Sequence, residues 1–179
     1  MAVISSNALT GITTRIADAS MSAGSIIQVK QAFKTDTFST TSHDKIDVTG
    51  LSVAITPSSS SSKFLITGCV RFGQEYDITH GIHLIINGSE VGLADAAGSR
   101  TRTHGGCGYL GHGDSYSIND GALDYLVNAS DANEHTIKVQ VSNGDTTTRT
   151  FYIGRSNNDT DSAYLTRAAS SLTVMEVAV

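Results

Sequence analysis

The sequence has no tryptophan, one proline and two cysteines, and only 16% of its residues are charged. Each shortage removes a class of protein. With Pro57 as the single proline, proline-rich linkers are excluded, and exposed strand edges must be protected by closure, bulges or neighbouring subunits. Cys69 and Cys107 form no CxxC pair, and a disulfide framework needs more cysteines and an oxidising compartment. Both are expected as free, buried thiols, because Cys69 sits in an apolar stretch where cysteine behaves as a small hydrophobe. The 12 Lys and Arg are scattered and outnumbered by 17 acids, so no basic stripe exists to neutralise phosphates and no nucleic-acid partner is expected. No apolar run approaches the ~20 residues of a membrane span. Residues 1–10 carry neither the basic nor the apolar region of a signal peptide.

What is abundant is small and polar. Serine (23) and threonine (21) make up about a quarter of the 179 residues, with 17 glycines beside them. A hydrophobic content of 39% is enough for a core, and a net charge of -5 is too small to hold the chain open. The length suits one domain of ~100–200 residues.

Period two dominates. Ile26, Ile27, Val29 and Phe33 open a β-rich segment. Ile46, Val48, Leu51, Val53 and Ile55 then alternate with polar residues up to Pro57, as in a strand with one wet face, and Gly50 in its middle predicts a bulge or kink. The run Ser58–Ser62 breaks the pattern and reads as a loop. Lys63–Phe72 reads as a central strand, with Gly81–Ile86 next and Val91–Leu93 as its return. Between those two, Asn87-Gly88 is the strongest short hairpin signal, because both central residues of a type I′ turn need positive φ. Short strands are further expected at Cys107–Leu110, Tyr116–Ile118, Ala122–Val127, Thr136–Val141, Arg149–Ile153 and Ser171–Val177. Residues 94–114 form a long loop around the first of these. About ten short strands with Gly, Asn, Asp and Ser between them predict an all-β fold, an antiparallel β-sandwich of jelly-roll type spanning residues 25–179. Residues 1–24, rich in Ala, Ser and Thr with thinly spread apolar positions, read as an extended anchoring arm.

Candidate chemistry is sparse. His80 and His83 are three apart and fall on opposite faces of a strand. A loop site from His104, Cys107 and His112 has the right atoms for zinc but no spacing that makes them converge, so the histidines are expected as exposed polar residues with no metal. The run Asn157-Asn158-Asp159-Thr160-Asp161 gathers oxygens as a calcium loop does, yet has neither the turn glycine nor the closing glutamate, and reads as a turn. No Gly-x-Ser-x-Gly elbow is present, and Gly113-Asp114-Ser115 has no local base. Carboxylates at Glu75, Asp77, Asp95 or Asp124 are expected to be solvated surface. No Walker or Rossmann glycine pattern occurs, and no catalytic residue, cofactor or metal is expected. Three sequons, beginning at Asn87, Asn128 and Asn158, are read as turn residues. Phe64, Phe72, Phe151 and Tyr152 belong on strands and are expected in the core; Tyr76, Tyr109 and Tyr116 lie near loops and suit a recognition surface better.

Several blocks occur together in a specific order. Gly24-Ser-Ile-Ile-Gln-Val-Lys-Gln precedes Thr35-Asp-Thr-Phe-Ser-Thr-Thr-Ser, then Asp47-Val-Thr-Gly-Leu-Ser-Val-Ala-Ile-Thr-Pro-Ser-Ser, then Ser62-Lys63 and a strand. Gly92-Leu-Ala-Asp-Ala-Ala-Gly-Ser-Arg100, Tyr-Ile-Gly-Arg at 152–155 and Ser170-Ser-Leu-Thr-Val-Met-Glu-Val177 follow. Over residues 24–179 this order resembles a family of tailed-phage virion proteins often labelled tail fibre or fibre-like. The resemblance implies a β-sandwich or jelly-roll head, commonly at the end of a longer fibre and often trimeric. Here 23 residues precede the matching region, and they are expected to serve as an arm in place of a shaft.

The expectation is therefore a non-enzymatic structural protein of a tailed-phage virion, assembled in the host cytoplasm. It would be a homotrimeric short fibre or appendage, attached to other virion proteins through residues 1–24. A capsid decoration protein is the alternative reading, and a glycan-degrading enzyme the remoter one. Loops at 94–120 and 143–162 would face outward, with Arg100, Arg102, His104, Tyr109, His112 and Tyr116 as recognition residues for a host surface glycan.

Overall fold

The strand Ile46–Ile55 shows how local sequence sets this architecture. Val48 and Leu51 are both buried although they are three apart, an odd spacing for a regular strand. Gly50 resolves it: its φ of 88° belongs to the left-handed region that glycine tolerates, and the pairing register slips between Asp47 and Ser52. The bulge that Gly50 predicted is present, and it keeps Val48, Leu51, Val53 and Ile55 on one face.

A computed structural model describes residues 21–75, 79–107, 115–144 and 148–179 of the chain. Among them are eleven strands and no helix: β1 (Ile26–Lys34), β2 (Phe38–Thr40), β3 (Ile46–Ile55), β4 (Lys63–Gln74), β5 (His80–Ile86), β6 (Ser89–Val91), β7 (Gly105–Cys107), β8 (Asn119–Asn128), β9 (His135–Asn143), β10 (Phe151–Ile153) and β11 (Ser170–Val177). All pairings are antiparallel. The expected turn at Asn87-Gly88 joins β5 to β6, with φ of 49° and 82° at its two central residues. The strand expected at Tyr116–Ile118 is instead a turn, and pairing begins at Asn119. Most of the N-terminal arm falls outside the described residues. At its last residue, the Gly24 N–H donates to Ala178 O at 2.9 Å, extending the β1–β11 ladder.

Two sheets face each other. In sheet A, β1, β11, β4 and β8 lie side by side, and β10 with β2 continues along the far part of the long β4. In sheet B, β3, β9 and β5 lie side by side, and β6 and β7 share the outer edge of β5 end to end. Take the eight main strands (β1, β3, β4, β5, β6, β8, β9, β11) in chain order. Sheet A then runs first, eighth, third, sixth, and sheet B second, seventh, fourth, fifth, which is the strand order of a jelly roll. The core lies between the sheets. Phe64, Ile66, Val70, Phe72, Leu172 and Val174 of sheet A meet Leu51, Ile55, Leu84, Ile137 and Val139 of sheet B, all essentially without solvent exposure. The rings of Phe72 and Phe151 pack 5.2 Å apart, and His80 stacks on Phe151 at 4.1 Å with 12° between the planes.

The outer face of sheet A breaks the wet-face rule. Register places Val29 of β1 opposite Met175 of β11, Met175 opposite Leu65 of β4, and Leu65 opposite Leu126 of β8. The result is one apolar row across four strands, with Val29 57% and Leu126 55% exposed at its ends. Phe33, 63% exposed, lies two rows away beside Ser171 and Cys69. Cys69 is therefore not the buried core thiol the sequence suggested. Its strand parity puts it on this outer face, half-covered, where partial burial still pushes its thiol pKa up.

Candidate functional site

The histidines depart most from expectation. His80 and His83 do lie on opposite faces of β5, but both are buried rather than exposed, as is His135. His80 points into the core. His83 lies on the outer face of sheet B, beneath a cover formed by the segment that leads into β7. Its position on the sheet gives it two diagonal neighbours. Ser142 sits opposite Gly81 on β9, and Glu90 opposite Ile85 on β6, each displaced by two residues from His83.

Both neighbours bond to the imidazole. His83 Nε2 is 2.8 Å from Ser142 Oγ, and His83 Nδ1 pairs with Glu90 Oε1. The other carboxylate oxygen of Glu90 receives Lys45 Nζ. Burial lowers the His83 pKa, with the Lys45 charge acting the same way and Glu90 opposing. For Glu90, burial raises the pKa, but the bonds from Lys45 and His83 outweigh it and the net shift is downward. At neutral pH the pair is thus a neutral imidazole and an ionised carboxylate. A carboxylate only accepts, so Nδ1 carries the proton and Nε2 presents a lone pair to the Ser142 hydroxyl.

Above Ser142 is a cavity of about 350 Å³, lined by polar side chains and bare backbone including Thr103, His104, Gly105 and Gly106. Gly81 keeps this floor open. A β-carbon there would come within 2.6 Å of His83 Nε2 and 2.9 Å of both Ser142 Oγ and Thr103 Cγ2. The cover is fastened by the His104 N–H bonding Ile82 O at 3.1 Å and by Arg102 Nε donating to Ala94 O.

Of the six recognition residues expected from the sequence, four lie among the described residues, and of these only His104 lines this cavity. Its ring lies over Gly92, whose missing side chain makes the room, and meets Tyr125 edge-on at 6.1 Å. Arg100 and Arg102 are exposed, Arg102 tied to its own loop, and Tyr116 is 61% exposed well away in sequence. Tyr109 and His112 lie outside the described residues, as does Tyr76. The loop site of His104, Cys107 and His112 therefore falls partly outside them too. The oxygen-rich run at 157–161 is a turn held by arginines: Asp159 pairs with Arg167 at 2.7 Å and with Arg155 at 3.8 Å, and Asn158 Oδ1 accepts the Thr160 N–H. Arg155 also lies 3.9 Å above the Tyr152 ring, so Tyr152 faces outward rather than into the core.

No family model and no curated protein matches the chain. Among solved structures, the chain is similar to chains in the structures of infectious bursal disease virus, Gx strain and Gt strain. Both alignments have a TM-score of 0.40, with 12% and 11% identity respectively, and cover 88% of this chain. This chain spans 39% of the length of either match.

Proposed function

We propose that this chain is a structural unit of a virus particle, a jelly roll that assembles with copies of itself. More narrowly, it would be a trimeric short fibre or appendage of a tailed-phage virion. The observation that carries this reading is the apolar row Val29, Met175, Leu65, Leu126 on the outer face of sheet A. Contiguous exposed apolar surface is what protein contacts cover. The occupant that fits is a second copy of the same chain. Four strands about 4.8 Å apart over eight residues present roughly 500 Å² per copy, hence about 1,000 Å² for a pair, the lower bound of a specific interface. Charge placement agrees: Lys63 lies one row to one side of the apolar row and Asp124 one row to the other, so antiparallel apposition sets unlike charges near each other. The resemblance of its block order to fibre-like phage proteins supports the narrower reading.

Light scattering on the purified protein tests the assembly. The face-to-face contact by itself gives twice 18.7 kDa and the trimeric fibre three times 18.7 kDa, so a dimer supports the contact without the trimer, and a monomer at micromolar concentration overturns both. Gold-labelled protein located at the tail of purified particles supports the fibre, whereas labelling at many head-lattice positions replaces the fibre with a decoration role.

A further inference from the structure

We propose that Ser142 is a nucleophilic serine, activated by His83 and oriented by Glu90, that accepts acyl groups from small-acyl esters entering the cavity over sheet B. This goes beyond the structural role and counters the expectation of a non-enzymatic chain. The arrangement brings together a nucleophile, a base and a carboxylate that positions the base. The hydroxyl of Ser142 is 2.8 Å from His83 Nε2, within reach for proton transfer. The imidazole is held by Glu90 at Nδ1, which fixes the tautomer that leaves Nε2 basic. Lys45 anchors the remaining carboxylate oxygen, so Glu90 cannot rotate away. Ser142 lines a cavity of about 350 Å³, room for an acetyl-sized acyl group with part of its alcohol. Glycines 81, 105, 106 and 144 line that cavity and bring backbone, rather than side chains, up to the reacting position. A purely structural hydrogen-bonded histidine would also need the glycine at 81, but not the cavity beside Ser142.

In the reaction, Ser142 Oγ bonds to the ester carbonyl carbon while its proton passes to His83 Nε2. The tetrahedral species collapses, the carbon–oxygen bond to the alcohol breaks, and the alcohol leaves with the proton from Nε2. Water then attacks the acyl-serine, gives its proton to Nε2, and the acid departs as Oγ recovers that proton. Ser142 and His83 are the catalytic pair, and Glu90 is a positioning residue.

The test uses the full chain and diisopropyl fluorophosphate, which forms an oxygen–phosphorus bond to an activated serine and releases fluoride. One adduct per chain, mapped to Ser142, is expected, with a burst of one nitrophenolate per chain from p-nitrophenyl acetate. Ser142→Ala abolishes both, and His83→Asn slows labelling by at least ~100-fold. Glu90→Gln slows labelling about tenfold and moves its acid limb to lower pH, because the carboxylate that favours the protonated imidazole is gone. Circular dichroism identifies any variant that fails to fold, and the wild-type result decides without the variants. No adduct on folded wild-type protein, an adduct elsewhere, or equal labelling of folded His83→Asn overturns the proposal. Loss of the proposed chemistry leaves the assembly reading untouched, since that is read from mass.

Discussion

Ser58 gives both its backbone N–H (2.6 Å) and its hydroxyl (2.7 Å) to one carboxylate oxygen of Glu176. Glu176 is fully buried near the end of β11, and the same oxygen accepts the Ser62 hydroxyl at 2.8 Å. Gln28 Nε2 on β1 donates to its other oxygen. The serine run that reads as a plain loop is therefore a cage, closing the β3–β4 connection onto sheet A. Replacing Glu176 with Ala leaves several donors without an acceptor and is expected to cost about 2–4 kcal/mol. Glu176→Gln retains shape and one acceptor and costs less. Thermal unfolding followed by circular dichroism checks this: a fall of roughly 5–15 °C for Glu176→Ala is expected, given ~2–4 °C per kcal/mol at this size. An unchanged midpoint would mean that the cage contributes nothing.

Acid should destabilise the fold in two stages. His83 has a lowered pKa from burial, so the unfolded chain binds its proton first. Stability from this site is complete above its ordinary value of ~6.5 and declines as pH falls towards the folded value. Glu176 is also lowered: burial raises it, but the bonds from Ser58, Gln28 and Ser62 prevail. Its contribution is complete above the ordinary ~4.5 and is lost below that. Glu90 follows the same direction. Urea midpoints between pH 8 and pH 3 should show a decline beginning near pH 6.5 and steepening below ~4.5. In His83→Asn the upper stage should vanish while the lower one stays.

Gly68 on β4 tests how closely the strands of sheet A approach. A β-carbon there would lie 2.2 Å from the backbone oxygen of Ser171 on the paired strand β11, a contact only backbone movement relieves. Gly68→Ala is expected to destabilise by more than about 2 kcal/mol, in the upper range for single substitutions. Gly121→Ala provides the contrast, because its new carbon would meet the flexible tip of Ile82 at 2.1 Å, and a rotamer change absorbs part of the clash. Chemical denaturation should rank Gly68→Ala as the more damaging of the two.

The elements legible in the sequence are those that local chemistry dictates. Gly50 and Asn87-Gly88 announce a bulge and a type I′ turn because positive φ leaves little choice of residue. Alternation around Phe64 and Ile66 marks β4, and the same parity, followed to residue 69, already assigns Cys69 to the outer face. What stays hidden depends on pairing across long stretches of chain. Nothing local sets β1 beside β11, or Leu65 between Met175 and Leu126, so the apolar row emerges only once register is known. Ser142, His83 and Glu90 meet for the same reason, as diagonal neighbours on three strands of sheet B. One signal was present: a histidine at the outward parity of the otherwise apolar run Ile82–Ile86 must either face water or find polar partners. The three-residue β2 was missed because Phe38–Thr40 is too short for alternation to register.

The apolar row gives a last prediction, on assembly. Leu126 lies at its outer end on the edge strand β8, 55% exposed, with its side chain away from the core. Leu126→Asp therefore costs the monomer little, since exposed substitutions usually fall within about 0.5 kcal/mol. In an assembled state the same change buries a carboxylate against Leu65 and Met175 of the row, a desolvation cost that the diagonal neighbour Lys63 offsets only in part. Sedimentation velocity should show Leu126→Asp dissociating at concentrations where the wild type is assembled, with secondary structure unchanged by circular dichroism. Tyr164, 92% exposed on the 155–168 loop, is the control: Tyr164→Asp should leave the assembly mass unaltered. If Leu126→Asp retains the wild-type mass, sheet A is not the contact face, and the copies must meet elsewhere.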